Sequence, residues 1–284
     1  MALVSSVPML TEARKKGYCV AAFNIHTFEM MQAVVEAAEE SRSPLILQTT
    51  VGTIKHLGVE YIVAAAKVAA EKAKVPIALH LDHCRDYELI IECLRKGYTS
   101  VMIDASKYPF EENVEQTRCV VEVAKAMEVN VEAELGKIGG VEDDIVVDES
   151  SALLADPSEC ERFVELTGVT SLAPAIGTAH GMYQGEPNID FDRLEKISKK
   201  VDIPLVLHGG SGIPAEHIKR CISLGIAKLN VATELKQAFS LSIRQYFSKH
   251  PDELDPRKYM APAKEDIKRI AKEKIAMCGC AHRV

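Results

Sequence analysis

The sequence predicts a (β/α)8 barrel, the TIM-barrel architecture, with a helical extension at its C-terminus. Three observations carry this reading. Short apolar runs alternate with longer amphipathic runs along the chain, and eight of the short ones can be counted. The 284 residues are what one barrel of roughly 250 residues and an extension would use, as a single domain over 1–284. Polar residues gather at the C-terminal ends of the apolar runs, where a barrel keeps its chemistry.

The expected strands are VAAFNI (20–25), LILQTT (45–50), IALHLDH (77–83), SVMIDAS (100–106), VNVEAEL (129–135), SLAPAIGT (171–178), PLVLHGG (204–210) and IAKLNVA (226–232). Each is followed by a helical pattern, such as FEMMQAVVEAAEES after the first and AEHIKRCISLG after the seventh. Strands separated by helices imply right-handed βαβ units and a parallel sheet. Eight such units favour a closed barrel over an open sheet. The segment from about 234 to 284 reads as helix interrupted around HPDELDPRKYMAP. Residues 136–150, GKIGGVEDDIVVDES, form the longest connection, and a long glycine-containing loop after a barrel strand is a candidate lid.

Composition narrows the function classes. Hydrophobic residues make up 47%, enough for one large core, and with no tryptophan that core must be aliphatic. The net charge is −7 and no Lys/Arg cluster approaches a nucleic-acid footprint, so no nucleic-acid partner is expected. A small anionic substrate stays open, because backbone N–H groups and one or two cations bind phosphate even in an acidic protein. No apolar run is long enough to span a bilayer, and MALVSSVPMLTEARKKGY lacks the pattern of a signal peptide. A cytoplasmic protein without membrane contact is expected. Eight scattered cysteines give no disulfide framework, and Cys278-Gly-Cys280 reads as a frayed tail.

Six consecutive strands end in ionisable or amide groups: Asp82 and His83, Asp104, Glu132 and Glu134, His180, His208, and Asn230. A lone histidine in an apolar run is ordinarily a hydrogen-bonded core residue. Three of them at three strand ends, with carboxylates beside them, instead describe a catalytic zinc site with an open position. His80, three residues before His83, is expected to point the other way and to be structural. HGGSGIP (208–214) follows the seventh strand and NVAT (230–233) the eighth, the usual phosphate loops of such barrels. Glycines there let the backbone approach a ligand. GTAHG (177–181) puts Gly181 beside His180.

In this order, AFNIHTFE, LHLDHC, SVMIDAS, VEAELGKIGGVEDD, APAIGTAHGMYQGEP, VLHGGSGIP, KLNVATEL and DPRKY resemble the class II, metal-dependent ketose-bisphosphate aldolases. The resemblance runs from about residue 20 to the end. NIH at 24–26 and NVATEL at 230–235 are similar to tagatose-bisphosphate aldolases, whereas APAIG, HGGSGIP and YQGEPN are similar to the fructose-bisphosphate branch. Cys84 departs from the His common after LHLDH in the tagatose group.

The resemblance implies cleavage of a ketose 1,6-bisphosphate to dihydroxyacetone phosphate and D-glyceraldehyde 3-phosphate. It implies Zn²⁺ on His83, His180 and His208, and a second, looser metal position at Asp104 and Glu134. Asp82 would move the proton on the C4 oxygen and Glu142 the proton on C3. Asn24 and Thr50 would line the pocket. Gly181, Gly209, Gly210, Ser211, Asn230, Val231, Ala232 and Thr233 would bind the dihydroxyacetone phosphate end, with a Na⁺ or K⁺ near the phosphate. Arg257 would reach the other phosphate across the interface of a homodimer or homotetramer. A tagatose-specific enzyme could also need an accessory subunit.

The chemistry agrees with these residue types. Cleavage between C3 and C4 leaves negative charge on C3 and the C2 oxygen, which a Lewis acid stabilises. A Schiff base would need a lysine at a strand end, and Lys228, inside the eighth run, is the nearest one. Two other classes share the fold. A barrel metallohydrolase would usually begin with His-x-His on the first strand, where this chain has Asn24-Ile25-His26. A non-catalytic accessory subunit should have lost ligands, and none of the matched positions is lost.

Overall fold

In the computed structural model, residues 2–142, 145–147, 153–183 and 185–284 are described, with the backbone only for 141, 142 and 145–147. The chain opens with α1 (Ser6–Lys16), β1 (Val20–Asn24), α2 (Phe28–Ser41), β2 (Leu45–Thr50), α3 (Val51–Leu57) and α4 (Val59–Lys72). It continues through β3 (Ile77–Cys84), α5 (Tyr87–Lys96), β4 (Ser100–Ile103), α6 (Phe110–Lys125), β5 (Asn130–Leu135), β6 (Gly139–Glu142) and β7 (Ile145–Val147). Then come α7 (Pro157–Thr167), β8 (Ser171–Pro174), β9 (Ala179–His180), α8 (Phe191–Lys200), β10 (Leu205–Leu207), α9 (Ala215–Ser223), β11 (Ile226–Val231), α10 (Thr233–Lys249) and α11 (Pro256–Met277). Among the described residues, no helix is long and apolar enough to cross a membrane.

Eight strands pair in parallel and close into a barrel in the order β1-β11-β10-β8-β5-β4-β3-β2. This is the expected (β/α)8 barrel. All residues of the eight strands are buried, as parallel strands covered by helices must be. Alternation divides them. Phe23, Leu47, Val101, Ala133 and Leu229 join the apolar layer beneath the helices. Asn24, Gln48, His80, Glu132 and Lys228 face the axis, where they meet across it.

The loops that follow the strands also start the helices. Thr27, Thr50, Asp86, Asp156 and Asp190 each accept a hydrogen bond from a first-turn backbone N–H of the helix they precede. Gly17, Gly97 and Gly168 end helices in the left-handed conformation.

Several expected boundaries move. The fourth, sixth and seventh strands stop at Ile103, Pro174 and Leu207, because the polar and glycine-bearing ends leave the ladder to build loops. The expected lid loop contains a hairpin: β6 pairs antiparallel with β7, and β9 adds to β6 in parallel. In the extension, α11 runs through Pro262 and packs against α10 and α2, so the interruption is confined to 250–255. The tail is not frayed. Cys278 and Cys280 are fully buried, and the N–H groups of His282 and Arg283 bond to the carbonyls of Ser41 and Arg42. All eight cysteines are free thiols.

Gly140 is what lets β6 lie against β9. Its φ is +99°, and a Cβ there would run into the carbonyl of its register partner His180. Gly140→Ala should therefore loosen this small sheet while leaving the barrel intact. The expected result is faster amide hydrogen exchange at 139–142 and 179–181 with little change in melting temperature. Unchanged exchange would show that the close approach is not needed.

Candidate active site

The site begins with a distortion in β3. His80 and Asp82 face the axis, so simple alternation would turn His83 outward. Instead His83 has φ +45° and the register with β4 shifts between Leu81 and Cys84. A bulge of this kind re-aims a side chain. His83 thus joins the same side as His80, contrary to the sequence expectation that the two point apart.

His83 meets His180 from β9 and His208 from the end of β10. Ring centroids lie 4.8 Å apart for His83 and His180, 4.6 Å for His83 and His208, and 5.7 Å for His180 and His208. One nitrogen of each ring falls within 4.8 Å of the others. His208 Nδ1 and His83 Nε2 are 2.8 Å apart, close enough to share one proton. A second group joins His83 to Asp104 and Glu134 within the same limit. All five expected metal residues therefore converge on one face.

The carboxylates around the centre sit in different environments. Asp104 is buried, which pushes its pKa up, but His83, Ser106 and Arg85 outweigh this and hold it well below the usual carboxylate range. Arg85 Nη2 donates to it at 2.8 Å and Ser106 Oγ at 2.7 Å. Glu134 lacks such a cation. Burial and the nearby Asp104 raise its pKa to about 7, and its Oε2 has no hydrogen-bond partner among the described residues. Converging imidazoles and an orphaned buried carboxylate oxygen fit a divalent cation of the zinc type.

Asp82 is held by amides from three strands. Asn24 Nδ2 donates to Oδ2 at 2.8 Å, Gln48 Nε2 to the same oxygen at 3.4 Å, and Asn230 Nδ2 to Oδ1 at 3.3 Å. Gln48 also donates to Asn24 Oδ1 at 2.8 Å, which orients that amide. Thr50 lies opposite Asp82 in the β2–β3 register and caps α3.

Beside the centre is a small hollow lined by His180, Gly181, Gly209, Gly210, Ser211, Asn230, Ala232, Thr233 and Lys236. Gly209 has φ +66°, and a Cβ there would meet the carbonyl of Ala179. Tyr183 Oη accepts from Ala179 N and donates to Gly209 O, both at 3.0 Å, tying the two glycine loops together. The N-terminus of α10 opens at Thr233, where helix N–H groups and dipole favour an anion. Ser211 Oγ accepts from Glu234 N at 3.3 Å, substituting for a cap that Ala232 cannot supply.

Three sequence expectations stand apart from this cluster. Val231 is buried in the apolar layer and does not line the hollow, because alternation turns it away from Asn230. Arg257 has an 89% exposed side chain paired with Asp255 and, among the described residues, meets no other expected site residue. Glu142 ends β6, and its side chain lies outside the described residues. Conversely, Gln48, Arg85, Tyr183 and Lys236 were not singled out from the sequence. Gln48 had a signal, a lone amide inside an apolar strand.

A model of the class-II fructose-bisphosphate aldolase family matches residues 4–283. The crystal structure of the YdjI aldolase from Escherichia coli K12 is 33% identical, with 99% of each chain covered and a TM-score of 0.87. A candidate fructose-1,6-bisphosphate aldolase from Coccidioides immitis is 32% identical over 98% of this chain and 97% of that one, with a TM-score of 0.88. A fructose-bisphosphate aldolase from Campylobacter jejuni, 23% identical over 100% and 97% of the two chains, shares the fold at a TM-score of 0.85. Similarity that spans the chain from end to end, on a barrel whose strand ends carry this cluster, places the protein in the class-II fructose-bisphosphate aldolase family.

Proposed function

We propose that the protein is a zinc-dependent aldolase. It would reversibly cleave a ketose 1,6-bisphosphate, D-tagatose or D-fructose 1,6-bisphosphate, to dihydroxyacetone phosphate and D-glyceraldehyde 3-phosphate. The observation that carries this reading is the convergence of His83, His180 and His208 beside a glycine-lined anion hollow.

These three histidines would hold the ion, which when bound supplies Lewis-acid polarisation of the C2 carbonyl. Asp104 and Glu134 offer a second position sharing His83. The backbone at 209–211 and the start of α10, with Thr233 and Lys236, would seat the phosphate next to C1. Fixing that phosphate fixes C2 and C3 relative to the histidines. Asp82 would take the proton from the C4 hydroxyl as the C3–C4 bond breaks. Its amide contacts leave it oriented as an acceptor. Glu142 would exchange the C3 proton, and its strand is anchored beside the centre by the Gly140–His180 pairing. Arg257 is exposed and paired with Asp255 rather than with the cluster, and would reach the other phosphate from a neighbouring subunit.

A Schiff-base route has less support. Lys228 is 1% exposed and its ammonium is engaged by Glu132 at 2.8 Å, below the imidazoles and away from the hollow. Nor does any observation favour a hydrolase or an accessory subunit.

Removing metal with a chelator should abolish cleavage, and added Zn²⁺ should restore it. Full activity in exhaustively metal-free protein, or in His208→Ala, would sink the proposal. Phosphatase and amidohydrolase assays on the same preparation should be negative, and parallel kinetics on the two C4 epimers give the preferred sugar.

The proton-moving groups have their own signature. Glu142→Ala and Asp82→Asn should each lower kcat about 10²–10⁴-fold, the usual worth of a positioned acid or base, with a much smaller change in KM. A KM effect without loss of turnover would recast the residue as a binding group.

A further inference from the structure

Beneath the three imidazoles runs a buried polar chain that the cleavage steps do not use. Lys228 Nζ is 2.8 Å from Glu132 Oε2 and 3.3 Å from His80 Nε2. Glu132 Oε1 is 2.8 Å from His208 Nε2. His80 Nδ1 is 2.6 Å from Ser100 Oγ, which also accepts from Asn130 Nδ2 at 2.9 Å. Each of these residues is at most 1% exposed. They come from β3, β4, β5, β11 and the end of β10, so the chain crosses the barrel interior.

Donor chemistry assigns the protons. An ammonium only donates. His80 Nε2 must therefore accept from Lys228, so that His80 Nδ1–H donates to Ser100. Glu132 Oε2 likewise accepts from Lys228. An ionised carboxylate only accepts, so the proton between Glu132 and His208 sits on His208 Nε2. His208 Nδ1 is then a lone pair, and it faces His83 Nε2.

We propose that Glu132, held in place by Lys228, is a positioning residue that locks the tautomer and ring orientation in which His208 binds the metal. The proposal rests on the reading of His208 as a zinc ligand. A carboxylate behind a metal-binding histidine fixes the ring and raises its basicity. Lys228 fixes the carboxylate and cancels its charge, so the device adds no net charge behind the ion. A purely structural ion pair would stabilise the barrel and leave metal binding alone.

Removing one partner would strand a buried charge and endanger the fold. The test therefore uses two uncharged pairs in the full-length protein. Glu132→Gln with Lys228→Met keeps an acceptor for His208. Glu132→Met with Lys228→Met removes it. Zinc affinity is measured by competition with a chromogenic chelator, and kcat at saturating zinc is measured in parallel. The Gln/Met protein should bind zinc about 10–100-fold more tightly than the Met/Met protein, the usual range for a group behind a metal ligand. Equal zinc affinity in the two variants overturns the proposal, whatever their melting temperatures. Wild-type protein that binds no zinc overturns the zinc reading itself, and the proposal with it.

Discussion

The contact between Lys228 and Glu132 organises the upper half of this barrel. Eight closed parallel strands send every second side chain toward an axis that water does not reach, and such a space is ordinarily filled by branched apolar groups. Here a full ion pair lies on it, both partners at most 1% exposed. Two buried ions are tolerable only when their remaining hydrogen-bonding capacity is met. His80 and His208 meet it, one from each side. Removing either partner alone would leave an uncompensated charge, at a cost of about 3–5 kcal/mol. The stack below follows from the same need, since His80 must in turn find Ser100, and Ser100 must find Asn130.

Above that pair the site divides its carboxylates by environment. Asp104 has the guanidinium of Arg85 and stays acidic. Glu134, one strand away, has no cation of its own and is pushed up by burial and by Asp104 itself. Asp82 has neither arrangement and is surrounded by three amides. The three acids can therefore serve different ends although they share one barrel mouth. Separating similar groups by their surroundings is how a site obtains distinct acid–base roles.

Much of this was legible in the sequence. The rhythm of apolar runs gave the barrel, and the strand-end positions of His83, His180 and His208 gave the centre. What was not legible depends on backbone detail or on partners distant in sequence. Alternation places His83 outside, and only the φ of +45° brings it in. The same alternation excludes Val231 from the hollow, a point the motif NVAT conceals because it treats neighbours alike. The strands of the β6–β7 hairpin, GGVE and IVV, are too short for periodicity to separate them from a loop, and β6 finds its second partner, β9, about 40 residues along. Arg85 reads as a surface cation until Asp104 is found beside it, 19 residues along. Cys278 and Cys280 read as tail, and only the return of the chain across Ser41 and Arg42 buries them.

The C-terminal extension belongs to the site as much as to the fold. Lys274 on α11 is 4% exposed, and its Nζ is 2.8 Å from Glu234 Oε2. The other oxygen of Glu234 accepts from Gly212 N at 2.6 Å, and the N–H of Glu234 bonds to Ser211 Oγ. One carboxylate thus joins the last helix to the glycine loop and to the first turn of α10. A loop of HGGSG composition is otherwise free to sample many backbone conformations, and ordering it on binding would cost affinity. The brace removes that freedom in advance. A negative charge at this point would by itself repel a phosphate, and the ammonium of Lys274 answers it from behind. The hollow is left with backbone donors, a helix N-terminus and Lys236, groups already in place that would suit an anion.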